Sequence, residues 1–193
     1  NQKDDGSTEG STLNIKIEVQ ADGESYVEKI NNIFLNIFTS APKNSLTFII
    51  TMNNLNIVSL HDLLDWILEL RAKHSHTYQR VWFDTPLLRQ PTWQSIQILT
   101  DAYQYKLEQV IDFMREHEID DGFVGFKDYE IQRMERNLAW MRETQPADRL
   151  KKDRADFYRF FSEHDRRRET DFLKTFPEMR EFWSMCKYYA ETD

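Results

Sequence analysis

The sequence predicts an α/β chain: three parallel strands joined by helical crossovers, then a region that is helical throughout. Three observations predict it. Residues 13–20 alternate apolar and polar, residues 46–52 are almost continuously apolar, and residues 80–84 form a short β-prone run before Pro86. Between these runs the apolar spacing switches to the helical period. Beyond Pro91 no further strand-like run occurs.

Residues 1–12 are polar, contain glycine and lack periodicity, so they read as a disordered lead or a cut edge. In the first strand, Ile15, Ile17 and Val19 share one face, and Lys16, Glu18 and Gln20 the other. Asp22 and Gly23 mark a turn. Tyr26, Val27, Ile30, Ile33, Phe34, Ile37 and Phe38 then recur at helical spacing until Pro42. Residues 46–52 read as a strand buried in a parallel sheet.

Ser59 is expected to N-cap a helix over residues 60–73. Leu60, Leu63, Leu64, Ile67, Leu68 and Leu70 turn inward there, and Arg71 and Lys73 suit its C-terminus. The third strand is 80–84. Helices follow over 92–117 (broken near Thr100), 126–143, 148–164, and from Pro177 to Tyr189. The expected division is a lead over 1–12, a partial β/α barrel over 13–90, and a helical C-terminal region over 91–193.

The 193 residues hold 25 Lys and Arg against 33 Asp and Glu, a net charge of -8. That balance argues against a nucleic-acid backbone as the main partner. Cys186 is the sole cysteine, which excludes an internal disulfide framework. No signal-peptide pattern is present, and no apolar run nears the roughly 20 residues that span a bilayer. The expected location is the cytoplasm, with no membrane partner.

Three stretches carry a family likeness: residues 47–55, residues 60–70, and residues 79–86. The tail at 157–168, continuing through 172–179, carries it further. Together they resemble the C-terminal part of radical S-adenosylmethionine proteins with a twitch-type C-terminal region. The resemblance implies a partial β/α barrel whose last three strands are those above. It implies a four-iron–four-sulfur cluster on an early three-cysteine loop, and S-adenosylmethionine cleaved to a 5′-deoxyadenosyl radical. It places Gln20, Asp22, Asn53, Asn54 and Asp84 at strand ends near the cofactor; the polar residues Lys16 and Glu18 by themselves also suit a cavity better than a packed core, which makes Glu18 a further candidate there. It also implies a missing N-terminal barrel half as partner, and a peptide, protein or small-molecule substrate. The three-cysteine loop is not in this sequence. The chain alone is therefore expected to hold neither cluster nor cofactor and to be catalytically silent.

Other features have plainer readings. Asn53 and Asn54 also suit a turn that caps the next helix. Asp84 reads equally as a general base or as a cap on the turn before Pro86. His74 and His76 read as exposed residues near a helix end, and no metal ligand set is expected. Arg166, Arg167 and Arg168 lie among Glu163, Asp165, Glu169 and Asp171, which predicts an ion-paired face. Phe157, Tyr158, Phe160 and Phe161 read as core packing, and Cys186 as inert core. A non-catalytic α/β-helical adaptor is the alternative function.

Overall fold

The structure is a computed structural model; it describes residues 33, 36, 38–40 and 44–192. The chain divides into two compact units, Asn1–Asn44 and Ser45–Asp193. In the first unit the described residues include helical ones, and the Thr39 hydroxyl donates to the Asn36 carbonyl at 3.3 Å. The expected strand at 13–20 lies outside the described residues, as does most of the helix expected at 25–38.

The second unit starts with a strand–helix–strand. β1 (Leu46–Ile49) and β2 (Val81–Asp84) run parallel, with Leu46 opposite Val81 and Ile49 opposite Asp84. A bridge between Met52 and Leu87 extends the pairing past a break. The crossover is α1 (Leu60–His74), which buries Leu60, Leu64, Ile67 and Leu70 at helical spacing. Its start differs from expectation. A 3₁₀ turn, Ile57–Ser59, leads into it, and the Ser59 side chain makes no cap hydrogen bond. The preceding loop is tied by Asn56 instead, which accepts from Asn53 N at 3.1 Å and donates to Thr51 O at 2.8 Å.

The expected three-stranded partial barrel is corrected here. Among the described residues the sheet has two strands, and most of the rest is helical. The physical reason is that a period-2 pattern fixes which face is apolar but names no pairing edge. One face of the small sheet is covered: Val81 and Phe83 are buried, and Phe83 meets Phe126 edge-on at 6.0 Å. On the other face, Ile49 is 73% exposed and Trp82 38%.

A buried guanidinium ties α1 to the helical region. Arg71 has no exposed surface. Its Nε donates to Val81 O at 3.1 Å, and its Nη1 donates to Gly125 O. Its Nη1 and Nη2 fork onto the Glu130 carboxylate at 3.0 and 2.6 Å. Glu130 also accepts from Lys127 N at 2.9 Å. The rings of Phe83 and Phe126 lie 5.3 and 5.7 Å from the guanidinium carbon. A bidentate, fully hydrogen-bonded geometry is what makes a buried ion pair tolerable.

The helical region matches the expected order. Two 3₁₀ turns, Thr92–Gln94 and Ile96–Ile98, precede α2 (Asp101–Glu116). α3 (Asp128–Met141) runs antiparallel to it, as the pairs Arg142–Glu108 and Arg115–Glu135 show. The loop between them closes through Ile119 N to Phe126 O and Phe126 N to His117 O, each 2.9 Å. Gly125 in that loop has φ +142°, and an added Cβ would sit 2.6 Å from His117 O.

α4 (Ala147–Arg168) ends at Glu169, a left-handed residue with φ 54°. A short α5 (Phe172–Thr175) and a 3₁₀ turn at Pro177–Met179 return the chain into α6 (Arg180–Thr192). Phe157 on α4 is fully buried, 5.2 Å from Phe182 and 5.6 Å from Phe172. Phe172 stacks on Trp183 at 4.4 Å and 13°. Burying one such ring contributes about 1.5–3 kcal/mol. No helix among the described residues is long and apolar enough to cross a membrane.

Candidate functional site

Parallel strands place their loops together at the C-terminal edge, where β/α enzymes gather ligands. The residues expected there fall as follows. Glu18, Gln20 and Asp22 lie outside the described residues. Asn53, Asn54 and Asp84 are described, and each is engaged internally. The Asn53 side chain donates to Thr51 O at 3.1 Å and accepts from Leu55 N at 2.9 Å. Asn54 is fully buried; it donates to Trp93 O at 2.8 Å, and its backbone N–H reaches Gln94 O at 3.0 Å. Asp84 accepts from Thr85 N at 2.9 Å and pairs with Arg133 at 2.8 Å.

These three do not converge. Asp84 lies opposite Ile49, and Asn53 is four residues further on. Asn54 is turned toward the 3₁₀ turn at Trp93, whereas Asp84 is held by α3.

Beyond β2 the structure forms a cleft of about 530 Å³, between the strand end and α3. Thr85 and Arg89 line one wall; Arg133, Arg136 and Trp140 line the other. α3 supplies these at i, i+3 and i+7, which puts them on one helical stripe. Asn137 locks the stripe in place by donating to Thr85 O at 3.0 Å in a buried bond. A second cleft of about 440 Å³ shares Arg89, Trp140 and Glu143 with the first and continues to Arg149 and Asp153 at the start of α4. Asp153 accepts from the Thr92 hydroxyl at 2.6 Å and meets Arg149 at 3.6 Å. Sequence reasoning passed over this trough. The signal was present as arginines and a tryptophan on one face of an amphipathic helix, but nothing local said which element that face would meet.

The residues present do not fit an iron–sulfur cluster. Cys186 is buried, and burial raises its thiol to about 12, so no thiolate is offered at neutral pH. Among the described residues no group of three His, Cys, Asp or Glu could hold a metal ion. His74 lies half-buried, and burial followed by the charge of Arg80 lowers its pKa. His76 bonds Lys73 O at 3.0 Å. Glu163 accepts from Arg166 at 2.7 Å and from Arg167 at 2.6 Å, so the basic run is ion-paired there.

The chain matches no family model, no curated protein and no solved structure.

Proposed function

We propose that the chain is the C-terminal part of a cytoplasmic radical S-adenosylmethionine enzyme. In this reading a separate N-terminal half carries the cluster. This chain adds polar strand ends to the cofactor pocket, and a helical region that covers the substrate or docks a partner. The segment likeness supports it, as does the parallel strand–helix–strand unit.

One observation carries it. Parallel sheets are normally buried on both faces. Among the described residues the sheet has two parallel strands, and Ile49 and Trp82 on one of its faces are exposed. A face left open in this way offers a surface on which the cluster-bearing half would dock.

The test joins the chain to a cluster-reconstituted N-terminal half, with S-adenosylmethionine and a reductant. The expected product is 5′-deoxyadenosine, dependent on both halves. A folded, cluster-loaded pair that releases none overturns the reading.

A second reading is a non-catalytic adaptor, favoured by the internal engagement of Asn53, Asn54 and Asp84. It expects no S-adenosylmethionine affinity in the joined protein, together with monomeric, cooperative unfolding of the chain alone.

A further inference from the structure

We infer that the trough between β2 and α3 binds an acidic peptide segment, with carboxylates held by Arg89 and Arg136 and an apolar side chain resting on Trp140. The two clefts that make the trough meet at Arg89, Trp140 and Glu143. Four arginines line it, at 89, 133, 136 and 149, against Asp84, Glu143 and Asp153. The excess is positive on a chain whose net charge is -8.

The arginines are not equivalent. Arg133 is committed to Asp84 and Arg149 to Asp153. Arg89 and Arg136 make no hydrogen bond or ion pair with any described residue. A free guanidinium presents a planar fork that matches a carboxylate. Trp140 is half-buried in the same lining, one turn beyond Arg136, and offers an indole to an apolar or aromatic side chain. The Asn137 bond to Thr85 O holds one wall, so Arg136 stands on a fixed helix, and Arg89 faces it from the loop after β2.

Shape selects the ligand. Small-molecule sites bury about 70–90% of their ligand. The two adjoining clefts here are lined from the end of β2 to the start of α4, a long and shallow outline. An extended chain, rising about 3.3 Å per residue, fits such a shape and can meet both arginines. Binding here requires no cofactor and holds under either reading of the chain's function.

The test is fluorescence anisotropy with a labelled heptapeptide of alternating glutamates and phenylalanines. A second peptide replaces every glutamate with glutamine. Saturable binding is expected for the acidic probe, weakening as salt screens it. Arg89→Glu and Arg136→Glu should each weaken it at least about tenfold. Arg168→Glu, an exposed change outside the trough, should leave it unchanged. Circular dichroism and melting confirm that each variant is folded, and Arg89→Gln and Arg136→Gln repeat the test with milder changes. Equal binding of the neutral peptide, or equal loss with Arg168→Glu, overturns the inference. So does adenosine monophosphate that binds through the same arginines while the peptide does not.

Discussion

The sheet end and the helical hairpin of this protein are held together by different physics. Around β1 and β2 polar ties join the Phe83–Phe126 ring contact in spanning long stretches of chain. Arg71 reaches Glu130 across 59 residues, Asn54 reaches Trp93 across 39, and Asn137 reaches Thr85 across 52. In the hairpin of α4 and α6 the ties are rings: Phe157, Phe172, Phe182 and Trp183 pack within 6.1 Å of one another's centroids where they meet. Apolar packing degrades gradually as atoms are removed. A buried polar fork fails outright when one partner is lost.

Two substitutions should cost about the same and be rescued differently. Glu130→Ala strands a fully buried guanidinium and should cost about 3–5 kcal/mol of stability. Phe157→Ala opens a cavity in the hairpin and should also cost about 3–5 kcal/mol. Urea unfolding measures both. The rescue separates them. Arg71→Met combined with Glu130→Leu removes both charges and should recover most of the loss, because apolar replacement of a whole buried pair is often neutral or better. If the double change is as damaging as Glu130→Ala, geometry rather than an unpaired charge holds this corner.

Gly125 tests the same corner through the backbone. Its φ of +142° and its 2.6 Å approach to His117 O leave no room for a side chain. Its carbonyl also accepts from Arg71. Gly125→Ala should cost about 1–3 kcal/mol by strain alone. A melting curve equal to the parent's would show that the loop from His117 to Phe126 can relax without disturbing Arg71.

The same contrast explains what could be read from the sequence. The helices at 60–74, 101–116, 128–141 and 147–168 are legible because apolar residues repeat locally at the helical period. So are β1, β2 and the core role of Phe157, whereas Phe160, read as core with it, is 45% exposed and Tyr158 and Phe161 are half-buried. The fold class is not, because the pairing partner of a strand is a long-range fact. Nor is the trough. Arg136 and Trp140 announce a helix face, but only the Asn137 bond to Thr85 tells which surface that face adjoins. Ser59 carried a cap signal, yet Asn56 ties the loop, since its amide carries a separate donor and acceptor atom that reach Thr51 O and Asn53 N at once. Local periodicity is written in neighbouring residues; polar ties across 39 to 59 positions are not.

The smallest expected effect lies on the surface, at Glu163. Hydrogen bonds from Arg166 first and Arg167 second hold its carboxyl down at about 2, against an ordinary value of 4.5. A depressed folded-state value adds stability that is present above pH 4.5 and is lost as pH falls through about 2. The carboxyl is open to solvent, so salt screens the pairing and the gain in stability is slight. A carbon-13 titration of the Glu163 carboxyl reads the fork directly. Its midpoint should lie well below 4.5 and rise toward it in Arg166→Ala with Arg167→Ala, while melting moves little. A parent midpoint already at 4.5 would mean that the two arginines do not hold the carboxylate in solution.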